Sequence, residues 1–494
     1  MKTRVVIDPL TRIEGHLRVE TVVEDGVVVE ARSSGTLYRG FEQILAGRDP
    51  LDAVQLTQRF CGVCPSAHAV ASSQCLDNAF GIMPPDNGRI IRNLIQGANY
   101  IQSHILHFYH LVALDFVRGP EFPPFIPRFE ADYRLPKSTS DEIVSHYVQA
   151  LHIRLKAHEM SAVFSGKMPH CASVVPGGVT VTPGVDKVTT FLWRLKELRD
   201  FISDVYLPDV LTVAEVYRDY AEIGVGCKNF LSYGAFDLDN EPVVTNRRRF
   251  FAMARYHSGA LEPLDPAKIT EDVTSSWYRS ASHLPPAAGE TLPDPNKPSA
   301  YSWLKAPRYD NSVYEVGPLA RGVIAYTKGS NSAYVKSIDN ALAQLRLKKE
   351  SLFSVLGRHL CRAIETKVLA DAMADWVLEI KLDQPTATRH AMPDSAQGRG
   401  LWDASRGALG HWISIRNKLI ERYQAVVPTT WNASPQDDRG QPGALEQALI
   451  GAPVKDPNNP FSVARIVRSF DPCVACAVHL VTPRGRLLQK VRVI

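Results

Sequence analysis

Two Cys-x-x-Cys pairs, one near each end of a 494-residue chain, constrain the fold more than any other feature. The pairs are Cys61–Cys64 and Cys473–Cys476, and a histidine follows each of them, His68 and His479. Four thiolates are ligands that zinc, iron-sulfur clusters and nickel accept. A structural zinc site would use pairs close together in a compact knuckle, whereas nearly the whole chain lies between these two. The sequence therefore predicts a fold that joins its two ends around a soft-metal centre.

The composition is that of a soluble globular protein, with 45% hydrophobic and 22% charged residues. No run of about 18 apolar residues predicts a transmembrane helix. Residues 1–8 lack the apolar core of a secretory signal. We therefore expect either a cytoplasmic protein or one that is membrane-associated or periplasmic through an address carried by a partner subunit. The net charge of +4 is too small to indicate a nucleic-acid partner.

Hydrophobic periodicity predicts an α+β fold with a core of long helices. Residues 3–35 alternate apolar and polar side chains around Asp25-Gly26, which is typical of a small antiparallel sheet. Peripheral strand and loop layers are predicted for the proline-rich residues 225–330, and an irregular segment for 383–440. Helical spacing predicts helices over residues 49–58, 65–80, 87–117, 140–163, 185–218 and 352–382, with short helices over 408–423 and 441–450.

Several motifs, taken together, resemble the large subunit of nickel-iron hydrogenases, and the likeness covers nearly the whole chain. It implies that family's fold and reversible heterolytic cleavage of dihydrogen, with an uptake type of enzyme expected. The motifs are, in order, Arg12-Ile13-Glu14-Gly15-His16, Arg59-Phe60-Cys61-Gly62-Val63-Cys64, His104-x-x-His107-Phe108-Tyr109, Gly166-Lys167-x-Pro169-His170, Pro176-Gly177-Gly178-Val179-Thr180, Asp403-Ala404-Ser405-Arg406-Gly407-Ala408-Leu409, Val427-Pro428-Thr429-Thr430-Trp431-Asn432 and Asp471-Pro472-Cys473-x-x-Cys476-x-x-His479.

The resemblance implies separate roles for the four thiolates. Cys61 and Cys473 would be terminal nickel ligands, while Cys64 and Cys476 would bridge nickel to an iron that carries carbon monoxide and cyanide. Soft thiolates suit such a centre. The proton released from dihydrogen is expected on the sulfur of Cys473, and Glu14 would be the carboxylate that relays it onward.

Around these ligands the resemblance places further groups. A magnesium ion would be held by Glu42, the backbone carbonyl of Ala425 and His479, because hard oxygen ligands suit that ion. Arg406 would lie over the open metal position, with Asp471 as its carboxylate partner.

Hydrogen bonds to the centre are also implied. Thr429 would donate to a cyanide and His68 would donate to a bridging sulfur. Ser103 and Ser405 are departures, because many family members carry an acidic residue and a proline at these two positions beside the site.

The resemblance also implies the organisation of the protein. We expect one catalytic domain over residues 1–479, mostly β over 1–48, helical over 49–224, a strand and loop layer over 225–350, and helical with a C-terminal metal clasp over 351–479. Residues 480–494 would be an extension that a maturation endopeptidase removes, and nickel-insertion factors would load the site.

An iron-sulfur small subunit is the expected partner, in a heterodimer or a multimer of heterodimers. It would accept the electrons, because the other four cysteines lack ligand spacing; they are Cys75, Cys171, Cys227 and Cys361.

Two alternatives remain within the same fold. A dihydrogen-sensing regulatory subunit would usually lack a cleaved extension, so residues 480–494 argue against it. A structural subunit of the quinone module of respiratory complex I would have lost the four cysteines, which this chain retains.

Overall fold

The computed structural model describes residues 2–123 and 125–477, and within the last of these the side chains of residues 476 and 477 are not described. Helices form the core and small antiparallel sheets surround it, as the predicted α+β class requires. The strands are β1 (Lys2–Ile7), β2 (Leu17–Glu24), β3 (Val27–Gly35), β4 (Val174–Val175), β5 (Gly178–Val179), β6 (Phe230–Ser232), β7 (Ala235–Asp237), β8 (Arg249–Phe251), β9 (Ala254–His257), β10 (Ala260–Glu262), β11 (Ile269–Asp272), β12 (Ala306–Tyr309), β13 (Ser395–Ala404), β14 (Gly407–Arg416) and β15 (Leu419–Val426).

The helices account for most of the buried core. Within the described ranges, none of them is both long enough and apolar enough to span a membrane. The helices are α1 (Phe41–Leu45), α2 (Asp52–Thr57), α3 (Pro65–Phe80), α4 (Asp86–Leu106), α5 (Lys137–Ser165), α6 (Val185–Phe201), α7 (Leu207–Val216), α8 (Pro318–Lys328), α9 (Ser332–Leu345), α10 (Val355–Leu378), α11 (Pro428–Asn432), α12 (Ala444–Leu449), α13 (Phe461–Ser469) and α14 (Val474–Ala477).

The N-terminal sheet has the order β1-β2-β3 and is antiparallel, as predicted. Residues of β2 alternate between buried and half-buried positions, which matches the apolar alternation of the sequence. Asp25 and Gly26 form the turn between β2 and β3 with φ values of 51° and 81°. Positive φ at both positions is typical of a two-residue hairpin turn, so the Asp-Gly pair determines this connection.

Helix α4 is the centre of the helical core. It packs against α3, α5 and α10, and nearly all its residues are buried. The predicted helix over 87–117 continues beyond Leu106 as a wider π turn, His107–Val112, and a short 3₁₀ turn. The predicted helix over 185–218 is likewise interrupted by a π turn, Ile202–Tyr206, just before Pro208, which has no backbone N–H to donate to the preceding turn.

The predicted short helix over 408–423 is wrong. These residues belong to β14 and β15, which pair with β13 in an antiparallel sheet of order β13-β14-β15. Nearly every residue of β14 is buried, so its side chains do not show the alternation that distinguishes a half-buried strand from a helix. Gly400 allows the close approach of this sheet to α3, because a Cβ there would lie 2.0 Å from the carbonyl oxygen of Ala71.

The strand and loop layer predicted over residues 225–350 also contains helices. Six strands and short turns do occupy residues 230–272, but α8 and α9 lie inside the interval 225–350. The proline density of residues 285–298 excludes helix only locally, and Pro318 stands in the first turn of α8, where a missing N–H costs nothing. The predicted short helix over 441–450 is confirmed by α12.

Candidate metal centre

The two ends of the described chain are joined by backbone hydrogen bonds. The amide of Glu14 donates to the carbonyl of Pro472 at 3.3 Å, and the amide of Val474 donates to the carbonyl of Glu14 at 2.7 Å. Glu14 and Cys473 thus form a short parallel β bridge. This bridge places the first motif of the chain directly beside the last pair of cysteines.

Three thiols converge at this bridge. The sulfur atoms of Cys61, Cys64 and Cys473 all lie within 4.8 Å of one another, and the sulfurs of Cys61 and Cys473 are 3.3 Å apart. All three residues are buried, and none of them forms a disulfide. Cys476 lies in α14, one turn beyond Cys473, but its side chain and the whole of His479 lie outside the described residues.

Local structure explains how the first pair presents its sulfurs. A 3₁₀ turn, Gln58–Phe60, ends at Cys61, and Cys64 is the N-cap of α3 with Pro65 in the first helical position. The amides of Val63 and Cys64 donate to the sulfur of Cys61 at 3.3 and 3.2 Å. Such hydrogen bonds favour the thiolate, which is the form that binds metal.

Helix α11 contacts the second cysteine pair through a hydrogen bond to Cys473. The amide of Cys473 donates to the hydroxyl oxygen of Thr429 at 2.8 Å. Since the hydroxyl oxygen accepts this bond, its own proton is available to donate to a further group. The hydroxyl of Thr429 therefore lies beside Cys473 with a proton that it can donate to a further acceptor.

Arg406 is fully buried beside the thiols. Its Nε donates to the carbonyl of Asp471 at 3.1 Å, and its Nη2 lies 3.0 Å from the Asp471 carboxylate, an ion pair without hydrogen-bond angles. Burial alone would lower the pKa of Arg406, but the charges of Asp471 and Cys473 outweigh burial and hold that pKa well above its ordinary value. Arg406 is therefore a fixed positive charge at the cluster.

Ser103 and Ser405, the two residues that depart from the family pattern, lie next to each other. The hydroxyl of Ser405 donates to the hydroxyl oxygen of Ser103 at 3.1 Å, and Nη1 of Arg406 lies 3.4 Å from that same oxygen. The pair adds no charge near Arg406. Asp471 is then the carboxylate that pairs with this guanidinium.

Glu14 lies at the edge of the cluster with its carboxyl group half-buried. Burial is the largest cause that raises its pKa, and the thiolate of Cys61 raises it further, while the charge of Arg406 opposes the rise. A carboxyl group with a raised pKa can hold and release a proton closer to neutral pH. This environment fits the proton relay predicted for Glu14.

The residues predicted to bind magnesium meet only in part. The amide of Ala425 donates to the carboxylate of Glu42 at 3.3 Å, and the hydroxyl of Thr291 donates to the other oxygen of the same carboxylate. Nearby, the buried Lys305 donates to Glu271 at 3.1 Å. The third predicted ligand, His479, lies outside the described residues.

The sequence analysis does not identify the residues that join the N-terminal motif to the segment carrying the last cysteine pair. Asp115 accepts hydrogen bonds from Arg12 and, at 2.7 Å, from Arg468, whose Nη2 also donates to the carbonyl of Thr11 at 3.0 Å. Asp115 thereby ties the chain before Glu14 to α13, which leads into the last cysteine pair. The contacts join residues more than one hundred positions apart, so no local pattern could indicate them.

Arg39 is a further residue beside the thiols that the sequence analysis does not identify. Its Nη1 donates to the carbonyls of Phe60 and Ala475 at 3.2 and 3.1 Å. One side chain thus bridges the segments that precede Cys61 and follow Cys473.

A buried ionic network stabilises the helices behind the cluster. Arg321 pairs with Glu365 at 2.7 Å and with Asp403 at 3.0 Å, and His104 contacts the Glu365 carboxylate at 2.8 Å. All four side chains are fully buried, and they join α4, α8, α10 and β13. Such a network is stable only when each charge keeps its partner.

A second group of potential metal ligands lies in the strand and loop layer. The ligand atoms of Asp272, His283 and Asp438 lie within 4.8 Å of one another. Nε2 of His283 is 3.0 Å from the Asp438 carboxylate and 3.7 Å from that of Asp272. Nε2 of His283 thus contacts two carboxylates, and two of the three residues are exposed.

The donor set at the thiol cluster fits a nickel-iron centre. Three buried thiols at mutual ligand distance, drawn from both ends of the chain, match the soft ligands that nickel and iron accept. The adjoining Arg406 and the hydroxyl of Thr429 supply donors for anionic ligands.

Comparisons with known proteins agree with this reading. A family model described as nickel-dependent hydrogenase matches residues 39–121 and 119–479, and a model described as HoxL-like matches residues 4–34. The chain is 44% identical to the periplasmic [NiFeSe] hydrogenase large subunit of Desulfomicrobium baculatum, over 97% of this chain and 95% of that protein. It is 34% identical to the quinone-reactive Ni/Fe-hydrogenase large chain of Wolinella succinogenes, over 100% and 98% of the two chains.

A solved structure has the same fold. The Ni-Fe-Se hydrogenase from D. vulgaris Hildenborough in the reduced state superposes with a TM-score of 0.91 and 46% identity, covering 97% of this chain and 100% of that one. In the present chain the four candidate metal-ligand positions are all cysteines.

Proposed function

The chain belongs to the nickel-dependent hydrogenase family, and from this membership we propose which of its residues carry out the cleavage of dihydrogen. It is the catalytic large subunit of an uptake-type hydrogenase, an oxidoreductase acting on dihydrogen. The observation that carries the assignment of residues is the convergence of three buried thiols, from both ends of the chain, within 4.8 Å.

Nickel and iron would be held by Cys61, Cys64, Cys473 and Cys476. The terminal nickel ligands would be Cys61 and Cys473, and the bridging ligands would be Cys64 and Cys476. Carbon monoxide and cyanide on the iron complete the proposed centre. When bound, such a centre would supply an electrophilic metal pair that makes dihydrogen acidic enough for heterolysis.

The protein groups around the centre handle the proton. The sulfur of Cys473 accepts it, and Glu14, which is hydrogen-bonded through its backbone to the residues on either side of Cys473, receives it next. The raised pKa of Glu14 supports this role, because burial favours the protonated carboxyl group. Arg406 pairs with Asp471 beside the thiols, and the hydroxyl of Thr429 would donate to a ligand of the iron.

Two further assignments belong to the proposal. Magnesium would be held by Glu42, the carbonyl of Ala425 and His479, and the amide of Ala425 donates to the Glu42 carboxylate. Removal of residues 480–494 by a maturation endopeptidase, after nickel insertion, is supported by the family match, which ends at residue 479. The intact mass of the active subunit checks this.

An iron-sulfur small subunit would accept the electrons in a heterodimer, since both the relatives named above are large subunits or chains. One of them is named as periplasmic and the other as quinone-reactive, so we propose a periplasmic or membrane-associated location reached through the small subunit.

The test uses the purified complex of both subunits. Nickel near one per large subunit, infrared bands of carbon monoxide and cyanide, and dihydrogen oxidation are expected. Zinc without those bands would contradict the metal assignment. A dihydrogen-sensing subunit would show the same bands but little turnover.

A variant of Glu14 tests whether this carboxyl group relays the proton. Glu14→Gln should keep nickel and the infrared bands, while dihydrogen/deuterium exchange falls by at least about 100-fold, the lower range for a lost general acid-base group. The matched control is Glu30→Gln, an exposed glutamate on β3, which should exchange normally. Full exchange activity in Glu14→Gln would remove Glu14 from the relay.

A further inference from the structure

A cavity apart from the thiol cluster lies beside the C-terminal end of α3. Its volume is about 420 Å³, which falls within the range of about 300–1,000 Å³ that small-molecule sites occupy. Its walls are formed by α3, the first turns of α4, the loop between β7 and β8, and β13. None of the three clustered thiols lines it, so the cavity is separate from the metal centre in the described part of the chain.

Much of the lining is apolar. Leu401 and Trp402 of β13 are fully buried in it. The other large apolar side chains come from α3 and from the flanking loops, and they include Val70, Ile82, Met83 and Val244. Such a lining favours a ligand with an apolar body, because that body leaves water when it binds.

Arginines outnumber acidic residues in the lining. The arginines are Arg89, Arg92, Arg247 and Arg399, and the acidic residues are Asp77 and Asp237. Nη1 of Arg92 pairs with Asp77 at 2.6 Å, and Nη1 of Arg247 pairs with Asp237 at 2.7 Å. These two ion pairs use both carboxylates of the lining, so the other two arginines are in excess.

The two arginines in excess differ in their partners. Nη2 of Arg89 lies 3.2 Å from the exposed carboxylate of Asp86, and its Nη1 donates to the carbonyl of Asp237 at 2.9 Å. The backbone amide of Arg399 donates to Oδ1 of Asn78 at 3.0 Å, but its guanidinium has no ion pair or hydrogen bond within the described chain. Arg399 therefore adds one positive charge to the lining that no described carboxylate neutralises.

The lining also contains buried polar atoms that lack a hydrogen-bond partner among the described residues. They are Nε of Arg89, Nε1 of Trp402, Oε1 of Gln74 and Oδ1 of Asn240. Buried polar groups in folded proteins are nearly always hydrogen-bonded, so such a group calls for a partner from outside the chain. The two nitrogens are donors, and an anionic oxygen is the acceptor that satisfies a donor best.

We propose that this cavity binds a small organic carboxylate, with its apolar body against Leu401 and its carboxylate paired with the guanidinium of Arg399. A guanidinium binds a carboxylate through two parallel hydrogen bonds, which both neutralise and orient it. Because one guanidinium lacks a counter-charge, a ligand with a single negative charge matches the site. The inference is independent of the metal assignment, since none of the described residues proposed as metal ligands lines the cavity.

Calorimetric titration of the complex of both subunits with benzoate tests the proposal. Saturable binding of one benzoate per large subunit is expected, with a dissociation constant of about 1 mM or tighter. Benzyl alcohol keeps the ring without the charge, and acetate keeps the charge without the ring. Each of them should bind at least about tenfold more weakly than benzoate. No saturable binding of benzoate, or equally tight binding of benzyl alcohol, would overturn the proposal.

A variant tests the role assigned to the guanidinium. Arg399→Gln should weaken benzoate binding by about tenfold or more, because it removes a charge-assisted pair of hydrogen bonds. Dihydrogen oxidation by this variant should be unchanged, which shows that the complex is folded. The matched control is Arg416→Gln, an exposed arginine of the neighbouring strand β14 that pairs with Glu421 at 2.9 Å. It should bind benzoate like the wild type, and equal affinities of the two variants would contradict the proposal.

A crystal structure of the complex soaked with benzoate locates the ligand. Density for the ring against Leu401 and for the carboxylate at Arg399 is expected. Density at other positions only would overturn the proposal, even if the titration shows saturable binding.

Discussion

At the scale of single residues, the hydroxyl of Thr429 has a structural task besides its proposed role toward the metal. It is the acceptor for the buried amide of Cys473. Thr429→Val keeps the shape of the side chain but leaves that amide without an acceptor, and an unsatisfied buried donor costs about 1–3 kcal/mol.

We therefore expect Thr429→Val to lower the thermal midpoint of the complex and to reduce its nickel content, whereas Thr429→Ser should preserve both. Calorimetry and metal analysis on the two variants check this. Equal midpoints for valine and serine would mean that the hydrogen bond to Cys473 contributes nothing measurable.

At the scale of elements, the contact between the N-terminal motif and the C-terminal clasp depends on a glycine. Gly15 has a φ of +90°, and a Cβ there would lie 2.4 Å from the backbone nitrogen of Ala475. No side-chain rearrangement can relieve a collision with backbone. Gly15→Ala must therefore separate the first motif from the segment that carries Cys473.

Gly15→Ala is expected to lose most of its nickel and to unfold at a lower temperature. The control is Gly451→Ala, which has a similar φ of +85° but no atom within 4 Å of the added Cβ. Backbone strain of roughly 1–3 kcal/mol is common to both variants, so the difference between them isolates the collision. Similar nickel content in the two variants would show that the close approach is not required for metal binding.

At the scale of the whole molecule, buried ionisable groups make stability depend on pH. Among the described residues, eight histidines have a lowered pKa, with burial as the leading cause, and two of these, His68 and His158, are lowered to about 4. Five carboxyl groups have a raised pKa and act in the opposite direction, because the folded chain retains their protons.

We expect the histidines to dominate between pH 6.5 and 4. Histidines of the unfolded chain bind protons below about pH 6.5, while these eight in the folded chain bind protons only at lower pH. Unfolding then takes up protons, so the free energy of unfolding falls as the pH drops through this range. Calorimetry at pH 5.5 in buffers of different ionisation enthalpy measures the uptake, and net proton release would contradict the prediction.

Much of the site could be predicted from the sequence, because metal ligation needs particular residue types at fixed spacing. The paired cysteines and the motif around Glu14 are local patterns of this kind, and the structure brings three of the cysteines and Glu14 together. Secondary structure is harder to predict where both faces of a strand are buried, because apolar and polar residues then no longer alternate. The buried strand β14 is such a case, and its residues are predicted as helix.

The chemical groups of the site follow from the sequence alone, because it fixes which thiols, carboxylates and guanidinium groups are available and their order along the chain. How these groups are held in place depends on tertiary packing. The hydrogen bonds from Arg12 and Arg468 to Asp115, and the contact between His68 and His411, join residues that are between 103 and 353 positions apart. These contacts depend on packing of the whole core, so no motif in the sequence could indicate them.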